Sequence, residues 1–154
     1  MRFLWIGKTK DPSLSKVEEK YLKRIEQHLP AERKTIPKLR KNDPHQQLAQ
    51  LEREAKQIER NLPAKTYLVV LDHLGTEFTS PRLASFLAEL MNRGVSKITF
   101  VVGSDLGIPE RIRNLADLKW ALTKLTLPHE LARIMLLEQI YRAVTIIKGL
   151  PYHK

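Results

Sequence analysis

Tyr67-Leu68-Val69-Val70-Leu71-Asp72 and Ile98-Thr99-Phe100-Val101-Val102-Gly103 are two short runs of almost unbroken apolar, β-branched and aromatic residues. A strand with one wet face alternates apolar with polar side chains, so runs that do not alternate belong to strands covered on both faces. Working outward, Met1–Gly7, Lys34–Leu39 and Leu118–Leu122 are further short strand-like runs. Helical spacing fills the intervals: Leu14–His28, Pro44–Asn61, Pro81–Arg93, a short piece from Pro109, and a long one over Pro128–Lys148. The resulting β-α-β-α-β-α-β-α-β-α order predicts an α/β fold, a mostly parallel sheet covered by helices on both faces.

Proline placement supports these boundaries. Pro12, Pro44, Pro81, Pro109 and Pro128 stand at expected helix starts, where a missing N–H leaves no hydrogen bond unmade. Asp43 and Ser80 precede two of them as expected N-caps. No repeat, low-complexity tract or long linker interrupts the chain, so residues 1–154 read as a single domain.

The 154 residues carry 27 Lys+Arg against 17 Asp+Glu, a formal charge of +10, with 42% hydrophobic residues and no cysteine. A chain of this length buries roughly two thirds of its unfolded surface and needs no disulfide. The missing thiols exclude iron–sulfur, thiolate-zinc and cysteine-nucleophile chemistry. Met1–Lys10 has no small-residue cleavage pattern, and no apolar stretch approaches the roughly 20 residues that span a bilayer. The expectation is a cytoplasmic protein with no membrane association. The positive charge favours polyanionic partners. Arg33, Lys34, Lys38, Arg40 and Lys41 form a candidate phosphate-facing stripe, set against the plainer reading of a solvated surface.

Several familiar chemistries fail on spacing. Gly7-Lys8-Thr9 resembles the end of a phosphate-binding loop, but the glycine required five residues earlier is Arg2. His28, His45, His73, His129 and His153 include no i, i+4 pair on one helix, so no metal is expected. No GxSxG elbow occurs. The ends of the strands remain, because ligands of open α/β sheets bind beyond the carboxyl ends. Leu71–Gly75, Val102–Gly107 and Leu122–Leu127 lie there, poor in large polar side chains, so that main-chain groups can read a ligand at close range. Taken alone, each reads first as an ordinary turn and only second as a site.

The last helical segment is apolar nearly all round, which predicts burial on more than one side, by the sheet and by a second subunit. Arg133, Glu138 and Arg142 are its costly residues, and Glu138 and Arg142 stand at i, i+4, the spacing of an ordinary ion pair. Pro151-Tyr152-His153-Lys154 places an aromatic and an imidazole directly after this helix.

The run Leu122-Thr123-Lys124-Leu125-Thr126-Leu127-Pro128-His129, continuing to Glu138-Gln139-Ile140-Tyr141-Arg142-Ala143 and closing on Gly149-Leu150-Pro151-Tyr152-His153-Lys154, carries a resemblance. It is similar to the signature of the small SPOUT-class ribosomal RNA large subunit methyltransferase H family, which acts on a pseudouridine of bacterial 23S ribosomal RNA. The resemblance extends over the whole chain. It implies a C-terminal trefoil knot, a homodimer, and S-adenosyl-L-methionine bound in a bent form. The implied cofactor residues are Leu71, Gly103, Leu122, Thr123, Lys124, Leu125, Thr126 and Leu127. Ser104 departs from the family pattern, in which a second glycine is usual, and Thr123 stands where serine is usual.

The implied reaction is methylation of the pseudouridine at N3, on the assembled ribosome and without a metal. The reaction requires loss of the N3 proton. His153 and Glu138 compete as the base, Arg142 suits neutralisation of the forming uracilate, and Tyr152 suits stacking on the ring. Two other classes fit parts of the chain: a non-catalytic ribosomal-RNA-binding protein, and a small-molecule methyltransferase.

Overall fold

The short apolar runs are the strands of a parallel sheet in the computed structural model, which describes residues 1–38 and 47–152. In chain order the elements are β1 (Arg2–Ile6), α1 (Pro12–Glu26), β2 (Glu32–Ile36), α2 (Gln47–Asn61), β3 (Tyr67–Glu77), α3 (Ser80–Asn92), β4 (Ile98–Val102), α4 (Glu110–Leu115), β5 (Leu118–Ala121) and α5 (His129–Ile147). Among the described residues the sheet order is β2-β1-β4-β3-β5, and every pairing is parallel.

Alternation along the strands divides the core in two. Phe3, Trp5, Val69, Phe100, Val102 and Trp120 point to the face covered by α1, α3 and α5. Leu4, Ile6, Ile36, Leu68, Val70 and Val101 point to the face covered by α2 and α4. The Phe3 and Phe100 rings stack across neighbouring strands with centroids 5.4 Å apart. Each such side chain contributes roughly 1.5–3 kcal/mol on burial, so the unbroken apolar runs are required by the double coverage.

Local boundaries shift for identifiable reasons. β2 begins at Glu32 and ends at Ile36, because Pro37 has no N–H to continue the ladder. Its last carbonyl instead accepts from Gly7 N at 2.8 Å. Asp11 caps α1, its Oδ1 accepting from Ser13 N at 2.7 Å and Leu14 N at 3.2 Å, with Pro12 in the first turn. The cap of α3 is Thr79 rather than Ser80, its Oγ1 accepting from Arg82 N at 3.4 Å. Pro109 and Pro128 are themselves the cap residues of α4 and α5. Asp43 and Pro44 lie outside the described residues.

The expected turn at Leu71–Gly75 is an irregularity inside a strand. β3 runs to Glu77, and Leu71 and Thr76 both register with Trp120 of β5, so residues 72–75 are extra in the ladder. Gly75 permits it: a Cβ there would lie 2.4 Å from the Lys119 carbonyl oxygen.

Helix α5 packs against the sheet, α1 and α3 and buries Leu136, Leu137, Ile140, Ala143 and Val144. Leu131, Ile147 and Leu150 remain exposed on its far side and at its end. No helix among the described residues is long and apolar enough to cross a membrane.

Candidate active site

The irregular segment of β3 and the loops that follow β4 and β5 line a cavity of about 310 Å³, within the lower range of small-molecule sites. Leu71, Gly103, Leu122, Thr123, Leu125, Thr126 and Leu127 line it, with Trp120 as a wall and His129 and Ala132 from the start of α5. Lys124, the remaining member of the expected set, does not. It projects into solvent 3.9 Å from Glu77. A second cavity, about 350 Å³, lies at the opposite edge of the sheet among Met1, Arg2, Lys97 and Thr99. Strand carboxyl ends are the chemically active edge of such sheets, which favours the first.

Gly103 is glycine for a reason internal to the chain. A Cβ on it would sit 2.3 Å from the Gly107 carbonyl oxygen, so close packing of the loop on itself excludes a side chain before any ligand does. Ser104 bridges back to Gly107 and is buried. Its Oγ donates to Glu54 Oε2 at 3.0 Å and accepts from Leu106 N at 3.2 Å. Glu54, wholly buried on α2, also accepts from Gln50 Nε2 at 3.1 Å. Ser104 is thus anchored from beneath the sheet.

Charge in the cavity wall is sparse. Asp72 is buried, its Oδ1 accepting from Leu74 N at 3.0 Å and its Oδ2 lying 2.7 Å from Arg113 Nε on α4. That approach is close in distance but poorly aligned, since neither atom meets hydrogen-bond geometry. His129 is pushed below the ordinary imidazole pKa of 6.5, first by burial and then by the Arg133 guanidinium, so it is mainly neutral at pH 7.

The tail residues form a second cluster. Glu138 Oε1 accepts from Arg142 Nη2 at 2.6 Å, Arg142 Nε at 3.0 Å and the Tyr152 hydroxyl at 3.2 Å, while Gln139 Nε2 donates to Oε2 at 2.6 Å. Arg142 lies over the Tyr152 ring, 5.0 Å from its centroid, and Tyr152 meets Tyr141 edge-on at 4.7 Å. Burial and the neighbouring Tyr21 and Glu138 raise the Tyr152 phenol above its ordinary pKa, which keeps it protonated at neutral pH. His153 lies outside the described residues. Glu138 stands six positions beyond Ala132 of the cavity wall along α5, about 9 Å along the axis, and the cluster faces Tyr21 and Arg24 of α1. Glu138, Arg142 and Tyr152 are not among the residues that line the cavity.

Two residues of the basic stripe have other partners. Arg33 Nη1 pairs with Glu18 at 2.9 Å and Lys38 Nζ with Asp105 at 2.6 Å, so neither is a free phosphate contact. Lys34 is exposed, and Arg40 and Lys41 lie outside the described residues. The Gly7-Lys8-Thr9 turn is structural. Arg133, fully buried, donates to Ile6 O at 2.7 Å and Thr9 Oγ1 at 2.9 Å, and the threonine hydroxyl donates to buried Glu18 at 2.5 Å.

Residues 1–153 match the family described as "Predicted SPOUT methyltransferase". The chain belongs to the SPOUT methyltransferases. It is 37% identical over 153 residues to the ribosomal RNA large subunit methyltransferase H of Geobacter metallireducens, covering 99% of this chain and 97% of that one. The protein of the same name from Desulfitobacterium hafniense is 44% identical over 103 residues, 67% of this chain and 64% of its own. Among solved structures, the SpoU methyltransferase AviRb from Streptomyces viridochromogenes in complex with AdoMet is similar at a TM-score of 0.45 and 14% identity, over 92% of this chain and 57% of that chain.

Within this SPOUT methyltransferase, the sequence reading included Asp72 in its strand-end segment but missed Arg113, Trp120 and His129 in the cavity wall and Glu54 beneath it. His129 follows Leu127-Pro128 and was legible as a residue at a helix start facing a strand-end crevice. Glu54 had no local signal, since its partner Ser104 is fifty positions away.

Proposed function

We propose that the chain is an S-adenosyl-L-methionine-dependent methyltransferase that modifies N3 of a pseudouridine in 23S ribosomal RNA. The observation that carries this reading is the cavity over the irregular segment of β3 and the carboxyl ends of β4 and β5, walled by apolar side chains and by loops lean enough for backbone contact with a nucleoside. The residues present fit such a donor. Leu71, Trp120, Leu122 and Leu127 would hold its aromatic part, and the loops at 102–107 and 122–127 would offer main-chain groups to its polar edges. When bound, the donor supplies a methyl group on a positively charged sulfur, already activated, so the protein's work is positioning and proton removal.

Glu138 acts as the orienting residue rather than the base, because four hydrogen bonds already occupy its carboxylate. Arg142, held through Nε and Nη2, leaves Nη1 outside that pair to meet the uracilate as it forms. Tyr152, kept protonated, presents its ring to the base and does not remove the proton. His153 is the remaining candidate for the proton acceptor, because imidazole is the side chain whose unperturbed titration lies nearest neutral pH. The tail is supplied by the partner subunit of a homodimer, in which the exposed Leu131, Ile147 and Leu150 of α5 would be covered. The knot of the SPOUT class, a cytoplasmic location and action on the assembled ribosome belong to the same reading.

Calorimetry with S-adenosyl-L-methionine, together with mass mapping of ribosomal RNA after incubation with ribosomes from a deletion strain, tests it. Donor binding and a methyl group on one large-subunit pseudouridine are expected. Ribosome binding without donor binding would make the chain a non-catalytic RNA-binding protein. Methyl transfer independent of ribosomes would point to a small-molecule substrate.

A further inference from the structure

Among the described residues that line the cavity, Arg113 is the single permanent cation; Asp72 is the single carboxylate, and the two histidines complete the titratable set. The arginine stands on α4 with its side chain about one third exposed, and its Nε edge rests 2.7 Å from the Asp72 carboxylate, whose own side chain is almost wholly buried. A guanidinium has two usable edges. With Nε turned toward Asp72, the edge formed by Nη1 and Nη2 has no partner among the described residues. Such a fork matches a carboxylate or phosphate through two parallel N–H···O bonds. The buried aspartate lies directly beside the guanidinium and balances its charge. His129, held below the ordinary imidazole value by burial, is mainly neutral near pH 7 and does not compete as an anion partner.

We propose that Arg113 is a binding residue for the carboxylate of the amino-acid part of the methyl donor, positioned by Asp72. The proposal rests on the methyltransferase reading above and adds to it a side-chain contact, in a site otherwise built from backbone and apolar groups. A phosphate of the RNA is the other source of the same chemistry.

The test compares two ligands that share the thioether-linked adenosine and differ in the carboxylate-bearing group: S-adenosylhomocysteine and 5′-methylthioadenosine. Calorimetry on the intact protein is expected to show tighter binding of the first, with an affinity that falls as salt rises, and little salt dependence for the second. Arg113→Gln should weaken S-adenosylhomocysteine on the order of tenfold or more, the size of a lost charge-assisted contact, and leave 5′-methylthioadenosine within about twofold. Equal weakening of both ligands would make the arginine a structural part of the wall and overturn the proposal. Unchanged binding of both, with weaker ribosome binding, would assign the fork to RNA phosphate and also overturn it. If Arg113→Gln does not fold, the wild-type salt dependence decides: the same slope for both ligands removes the carboxylate contact. Failure of the folded wild type to bind either ligand overturns the donor reading itself, a result distinct from binding both without discrimination.

Discussion

Tyr152 donates its hydroxyl to Glu138 Oε1 at 3.2 Å across fourteen positions of sequence, so the last described residue is tied back to the middle of α5. The same carboxylate oxygen takes two bonds from Arg142. Removal of Tyr152 to Lys154 is therefore expected to abolish methyl transfer while donor affinity, measured by calorimetry, stays within a few fold. Mixing this deletion with a Gly103→Ala chain should restore part of the activity if the partner supplies the tail. A mixture as inactive as its parents would place tail and cavity in one chain.

His153→Ala isolates the proton acceptor. Single-turnover methylation on saturating ribosomes is expected to slow by roughly 10²–10⁴-fold, the range of a lost general base. A rate near wild type would eliminate the imidazole from that role.

Ser104→Gly leaves Glu54 Oε2 without its donor in a buried position and frees the Leu106 N–H. The expected loss is about 1–3 kcal/mol, readable as a lower urea midpoint with an unchanged slope. Donor affinity should fall as well, because Ser104 lines the cavity. A midpoint equal to wild type would show that the bond to Glu54 contributes nothing net.

Gly103→Ala and Gly75→Ala separate two close approaches. The Gly103 Cβ would meet the Gly107 carbonyl at 2.3 Å in a surface loop, whereas the Gly75 Cβ would meet the Lys119 carbonyl at 2.4 Å between two strands. The first is expected to displace the loop and remove donor binding with far-UV circular dichroism retained. The second should lower stability by about 3 kcal/mol or more, since the β3–β5 ladder must open. Normal donor binding by Gly103→Ala would mean that the cavity is misassigned.

His129 makes stability pH-dependent in a definite direction. Its folded pKa lies below the unfolded 6.5, so in mild acid the unfolded chain takes a proton that the folded chain resists. The contribution is complete above pH 6.5 and is lost as pH falls through that value toward the lowered one. His129→Gln should flatten this part of the profile of urea midpoint against pH. An unchanged profile would trace the dependence to another group.

The strands, their order with the helices and the two-sided coverage were legible in the sequence because they depend on local apolar pattern: Tyr67–Leu71 and Ile98–Val102 have nowhere to go but a doubly covered sheet. Strand-end position likewise pointed to Leu71, Gly103 and the Leu122–Leu127 run, which line the cavity except for Lys124. Pattern did not reveal that β3 continues through Gly75, because the close approach to Lys119 involves a strand more than forty positions away. It misjudged Lys124, Arg33 and Lys38, whose direction depends on Glu77, Glu18 and Asp105, brought near only when the chain is folded. Glycine at 103 followed from the sequence as a residue type, but its cause, the Gly107 carbonyl, is tertiary. Periodicity is a property of neighbours along the chain and survives in the unfolded sequence. Ion pairs, buried anchors such as Glu54 and Arg133, and the separation of the tail cluster from the cavity are distances between remote residues, which exist only after packing.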